Sequence, residues 1–141
     1  MKFLDSNVFI YAFYKPKRQL NTSEKAMKDS SKKIISNIQN GKESVVTTVV
    51  HLSEIINILK HSFSVKELAE IAAGLLMLDN VEVLDVSKED YFVATELGQE
   101  FGIDPNDALA VQVIQTKGLT EIYSFDKAFE KVEGIARLPI L

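Results

Sequence analysis

The chain has 141 residues, 46% hydrophobic and 26% charged, with a net charge of −4, the profile of an ordinary globular protein with enough chain for one substantial core. It contains no cysteine, which excludes thiol catalysis, thiolate metal sites and disulfides and fits a reducing, cytoplasmic setting. No segment has the charged, apolar and cleavable layout of a signal peptide, and no run reaches the roughly 18 apolar residues of a membrane span, so a single intracellular domain over residues 1–141 with no membrane contact is expected.

KFL, Lys2 to Leu4, reads as a very short strand, and Val8 to Tyr14 as a helix apolar on nearly every side. Asp5 stands at their junction with Ser6 and Asn7 behind it. Any of the three suits an N-cap, because a short side-chain oxygen accepts an unpaired N–H of the first helical turn. The next segment is polar. From Lys15 to Lys33 it carries seven basic residues (Lys15, Lys17, Arg18, Lys25, Lys28, Lys32, Lys33) against Glu24 and Asp29, a local balance of +5 that leaves −9 for the rest. Such a run is either a solvated loop and helix face or a phosphate-contacting flap beside an acidic site. It passes into a helix that ends near Ile38–Asn40, with Gly41 as C-cap.

Beyond it, ESVVTT reads as a buried β-branched strand, and VVHLSEIINILKH as a helix with Leu52, Ile55, Ile56 and Leu59 on one face. VKELAEIAAGLLML follows as a second, largely apolar helix. VEVLDV is a strand, KEDYFVATELGQEFG and DPNDALAVQVIQTKG are helices, EIYSF is a strand and IARLPIL an edge strand. Strands alternating with helices predict an α/β protein, a three-layer α/β/α sandwich around a mainly parallel sheet. In such sheets ligands bind beyond the carboxyl ends of the strands, where strand order reverses. Asp5 stands at such an end.

Three further acids raise the same question. Glu54 points away from the main apolar stripe of its helix, yet Val50 and Ile58 lie one turn either side of it. In GIDPNDALAV, Asp104 is a good N-cap, Pro105 fits the first helical position, and Asp107 occupies the third, where a carboxylate can bond back to the cap. One aspartate suffices for that task, which leaves Asp107 free for chemistry. Asp126 follows the strand EIYSF and suits a cap for KAFEKV. Together these four would converge on one crevice. Carboxylates so close must take up protons or hold a cation, and an oxygen-only set selects Mg²⁺ or Mn²⁺ over Zn²⁺. Such an ion suits phosphodiester hydrolysis. Without these four the chain has 16 acidic and 16 basic residues. His51 and His61 are expected at the surface or a helix end rather than as bases.

LDSN near the start, VVHLSEI, DPNDALAV and YSFDKAF together resemble, in order, the signature segments of the PIN-domain nucleases, among them the small VapC-type toxins. The resemblance implies a PIN-like α/β/α fold and an Mg²⁺- or Mn²⁺-dependent endoribonuclease. It also implies a homodimer and a small antitoxin partner that blocks the acidic crevice. Carried over by position, Asp5, Glu54, Asp107 and Asp126 would be the catalytic metal ligands, with Asn7 and Ser124 as polar groups behind them. Asp104 is an additional acid beside the third ligand, so Asp104 and Asp107 are exchangeable in that set. The Lys15 to Lys33 segment is longer than is usual in compact toxins. Two other readings stand beside this one. An aspartyl-phosphate phosphatase also places Asp after its first strand, but needs a second Asp where this chain has Asn7. A non-catalytic PIN-like scaffold has no need of all four acids.

Overall fold

The computed structural model describes all 141 residues. In chain order the elements are β1 (Lys2–Leu4), α1 (Ser6–Phe13), α2 (Thr22–Gln39), β2 (Val45–Thr48), α3 (Val49–Leu59), α4 (Val65–Leu76), β3 (Val81–Leu84), α5 (Lys88–Phe101), α6 (Pro105–Thr116), β4 (Glu121–Tyr123), a 3-10 turn (Lys127–Lys131) and β5 (Ala136–Leu138). Local chemistry fixes most helix starts. Asn21 with Glu24, Ser64 with Glu67, and Ser87 with Asp90 form reciprocal capping boxes at α2, α4 and α5, each satisfying two orphan N–H groups.

The five strands form one sheet in the order β3-β2-β1-β4-β5, and every pair is parallel. Both faces are covered, as an all-parallel sheet requires. Successive residues of a strand point to opposite faces: Leu4 and Val45 pack with Ile34, Ile38, Ile55 and Leu59 on one side, Phe3 and Val46 with Val111, Ile114 and Phe129 on the other. The expected α/β/α sandwich is thus realised, with IARLPIL supplying the edge strand β5.

The chain moves outward from β1 to β2 and β3, then returns to place β4 on the opposite side of β1. The order reverses between β1 and β4. Leu4 pairs with Tyr123 at that junction, and the Asp5 N–H donates to the Tyr123 carbonyl at 3.0 Å. Asp5 and Ser124 therefore leave the sheet side by side.

One local expectation changes and two are refined. Helix α1 begins at Ser6 rather than Val8 because Asp5 caps it. In α4 only Leu75 is buried, and Val65, Leu76 and the C-cap Met77 are exposed; the helix lies on the outside, so its apolar content exceeds what the core covers. Part of the basic segment is committed to the fold. Arg18 pairs with Glu24 at 2.6 Å, the Lys15 ammonium lies 4.5 Å from the Phe63 ring centroid, and Lys28 donates to the carbonyls of Tyr11 and Tyr14 at the carboxyl end of α1, where a cation is favourable. Lys17, Lys25, Lys32 and Lys33 remain exposed.

Candidate metal centre

Asp5 is held by both ends of its carboxylate. One oxygen accepts the Ser6 N–H at 2.8 Å, and the other accepts the Ser124 hydroxyl at 2.7 Å. The residue is at once the cap of α1 and a member of the cluster, so the two readings of its position are compatible. Across the crevice, Ser6 Oγ lies 3.3 Å from Glu54 Oε1, joining the first turn of α1 to α3. Asp5, Glu54 and His51 each bring a ligand-type atom within 4.8 Å of the other two.

Ser124 is fully buried and uses its hydroxyl completely. It donates to Asp5, accepts the Asp126 N–H at 3.0 Å and lies 3.4 Å from the Asn7 amide nitrogen. The Asn7 carbonyl oxygen accepts the Phe125 N–H at 3.2 Å. The Asn7 amide thus ties α1 to the loop after β4, a positioning task that has no proton to transfer, which argues against the phosphatase reading. Asp126 accepts the Ala128 N–H at 2.9 Å and caps the 3-10 turn.

Asp104 is exposed and caps α6 by accepting the Asp107 N–H at 2.9 Å. The return half of a capping box is not made, so the Asp107 carboxylate has no capping task and is buried. Burial, then the charges of Asp5, Asp104 and Asp126, then a hydrogen bond with Asp126 push the Asp107 carboxyl up to about 9. Asp5 is raised to about 6, chiefly by burial; its bonds from Ser124 and Ser6 work against this, and the charges of Asp126 and Asp104 add to it. These mutual effects place Asp5, Asp104, Asp107 and Asp126 in one electrostatic neighbourhood, and the Ser6 hydroxyl connects Glu54 to it. None of the five acids is in an ion pair with a lysine or arginine.

His51 departs from expectation: it is fully buried, not at the surface. Its ring packs edge-on to Phe3, with centroids 4.9 Å apart. Both nitrogens are engaged, Nδ1 with Thr48 Oγ1 at 2.7 Å and Nε2 with the Asn106 carbonyl at 3.1 Å. Neither has a lone pair free for a metal, because the carbonyl can only accept and the threonine hydroxyl fills the other nitrogen. Proximity to Asp5 and Glu54 therefore does not make it a ligand. Nothing within VVHLSEI separates a surface ring from a buried one; the structure shows that His51 shares the buried face of α3 with Ile55, one turn on. His61 is exposed near the end of α3, as expected.

A sheet with its order reversed between β1 and β4, and uncompensated acids at that point, belongs to a recognisable class. The chain is a member of the PIN domain family, whose model matches residues 2–135. It is 25% identical over 79 residues to Ribonuclease VapC6 of Methanocaldococcus jannaschii, an alignment covering 56% of this chain and 52%, about half, of that protein. Among solved structures it is similar in fold to Mycobacterium tuberculosis VapC20, a Sarcin-Ricin loop cleaving toxin, with a TM-score of 0.70, 18% identity and coverage of 96% and 97% of the two chains. It is also similar to a chain of VapBC2 from Rickettsia felis, bound to a DNA fragment from its promoter, with a TM-score of 0.59, 18% identity and coverage of 97% and 96%. A toxin-antitoxin complex from Klebsiella pneumoniae gives a TM-score of 0.62 at 14% identity over 96% of each chain.

Proposed function

We propose that this chain is a divalent-metal-dependent endoribonuclease that uses Mg²⁺ or Mn²⁺. The observation that carries this reading is the donor set. Asp5, Glu54, Asp107 and Asp126 offer oxygen alone, burial and then the charges of neighbouring acids push the Asp107 carboxyl up to about 9, and none of the four has a basic partner. Such a set fits a hard cation. An ion bound there supplies Lewis-acid activation of water and of the phosphoryl oxygen, and offsets the charge that develops during displacement.

The chain's own groups do the positioning. Ser124 and the Ser6 N–H hold the Asp5 carboxylate in one orientation, Asn7 fixes the loop that carries Asp126, and Asp104 frees Asp107 by taking over the cap of α6. Exposed Lys17, Lys25, Lys32 and Lys33 supply sequence-independent attraction for phosphate. The product is expected to carry a 5′-phosphate and a 3′-hydroxyl, since no side-chain nucleophile is involved.

The family membership supports a small antitoxin as partner. An apolar groove of about 310 Å³ between α1, α2 and α4, with Phe9, Phe13, Phe63 and Ile71 among its walls, suits a partner's helix. Exposed Val49, Phe92 and Val93 suit a homodimer contact. No helix is long and apolar enough to cross a membrane, and a cytoplasmic setting goes with the RNA substrate.

The test is cleavage of a labelled single-stranded RNA with Mn²⁺, with Mg²⁺ and with EDTA, beside Asp5→Asn. Metal-dependent cutting that the variant loses is the expected result. Absence of cutting on several RNAs, together with no stoichiometric Mn²⁺ binding, would replace this reading with the scaffold one.

A further inference from the structure

His51 has no task in the metal centre, yet it is among the largest fully enclosed side chains of the protein. Its tautomer follows from geometry. The Asn106 carbonyl is only an acceptor, so Nε2 carries the hydrogen. Nδ1 then accepts the Thr48 hydroxyl hydrogen, while Thr48 Oγ1 accepts the backbone N–H of His51 at 3.2 Å. Burial lowers the imidazole pKa, in keeping with a neutral ring. On the far side, the Tyr91 hydroxyl donates to the Asn106 side-chain carbonyl. Both carbonyl groups of Asn106 are therefore gripped from outside its own helix, one from α3 and one from α5.

Asn106 immediately precedes Asp107, and His51 lies three residues before Glu54 on α3. The His51–Asn106 bond thus joins the two helices that deliver these acids. Within α6 the start of the helix is held only by its own cap, Asp104, which accepts the Asp107 N–H at 2.9 Å and would move with it. The grip on Asn106 is what fixes that start to neighbouring elements.

Resting on the nuclease reading, we infer that His51 is a positioning residue: through the Asn106 carbonyl it fixes the start of α6 against α3, and so sets where Asp107 meets Glu54 around the ion. It acts as an uncharged strut, and an apolar residue of equal volume would fill the core without making the bond. This separates its role from packing.

The experiment compares wild type, His51→Phe, His51→Gln and Tyr91→Phe. Three readouts are made: Mn²⁺ titration calorimetry, kcat and KM on RNA, and amide hydrogen exchange of the metal-free proteins. His51→Phe keeps a planar ring, though a somewhat larger one, and loses the bond; it is expected to weaken Mn²⁺ binding by about 10- to 100-fold, the usual effect of losing a group that orients a ligand. It should also lower kcat more than it raises KM, and speed exchange at the start of α6 while the rest of the core stays protected. His51→Gln, whose amide N–H₂ extends toward the Asn106 carbonyl, should recover most of each loss. Tyr91→Phe approaches Asn106 from α5 and should move every readout the same way by less, which keeps the test decisive if His51→Phe fails to fold.

Wild-type affinity and exchange in His51→Phe would overturn the inference. So would a His51→Gln as impaired as His51→Phe, since the ring itself would then be required, as packing or as a ligand. If wild type neither binds Mn²⁺ nor cuts RNA, the nuclease reading fails, and exchange at the start of α6 still decides whether the strut exists.

Discussion

The two ends of the sheet handle buried charge in opposite ways. Near the amino ends of β1 and β2, Lys2 meets Glu43 at 2.8 Å, the Tyr123 hydroxyl donates to the same Glu43 oxygen, and the Lys2 ammonium lies 5.3 Å from the Tyr123 ring centroid. One positive and one negative charge close the group, and the Tyr123 phenol, its pKa pushed up by burial and then by Glu43, stays neutral. At the carboxyl ends, Asp5, Glu54, Asp104, Asp107 and Asp126 have no basic partner. The contrast shows that the fold can neutralise partly buried charge and at one end does not. Local capping explains single acids there; it does not explain the excess.

The sharpest way to break that comparison is Asp107→Asn. It removes the carboxyl that burial and then its acidic neighbours push up to about 9. Metal-dependent RNA cleavage should fall by at least about 100-fold, because a holding oxygen and its charge are both lost. The metal-free protein should melt higher at pH 8, by about 3–5 °C for each kcal/mol of repulsion relieved in a chain of this size. Lower stability together with retained cleavage would mean that Asp107 serves the fold and not the ion.

The pH dependence of the metal-free protein comes next in size. Asp5 and Asp107 rise from 3.8 to about 6 and about 9 on folding, so the folded state retains protons that the unfolded state has released. Their contribution is therefore fully present below about pH 4 and is lost as pH climbs through 6 and then 9. Thermal melts in EDTA should show stability falling across that window, and Asp107→Asn should flatten its upper part. Mn²⁺ should raise the melting temperature more at pH 8 than at pH 5, because the ion competes with protons for the same oxygens. A flat profile in EDTA would mean that the two acids are solvated rather than buried together.

Much of this was legible in the sequence, for identifiable reasons. The alternation of Phe3 with Leu4 and of Val45 with Val46 across two faces follows from the two-residue period of strands, and apolar runs bounded by capping residues give the layers. Asp5 was findable because a strand-end acid in an apolar setting is costly without a purpose. His51 was not found, because a histidine inside VVHLSEI has no signature that separates a surface ring from a buried strut, and its partner Asn106 lies 55 residues away. The exposed apolar surface of α4 was not legible either, since periodicity reports which residues are apolar and not which face the fold covers.

Ser124→Ala tests the support behind the acidic end. It removes the donor to Asp5 and the acceptor of the Asp126 N–H. Leaving such groups unpaired costs about 1–3 kcal/mol, measured by denaturant unfolding, and Asp5 loses the hydrogen bond that holds its pKa down. Mn²⁺ affinity should drop by about 10-fold. An unchanged affinity would mean that the Ser6 N–H alone holds Asp5 in place.

The smallest effect is expected at the closed end. Lys2 and Glu43 keep 24% and 17% of their side chains exposed, so water screens part of their attraction, and pairs of this kind contribute up to about 1 kcal/mol. Lys2→Met retains much of the apolar stem and removes the charge, so chemical denaturation should register a loss within that limit. Glu43 remains partly solvated and still accepts the Tyr123 hydroxyl, which is why no uncompensated buried charge results. Mn²⁺ affinity should not change at all. If removing this single lysine strengthened or weakened Mn²⁺ binding several-fold, the two ends would be electrostatically coupled through the three-residue length of β1, and the acidic end could no longer be treated as a site whose charge awaits only an ion.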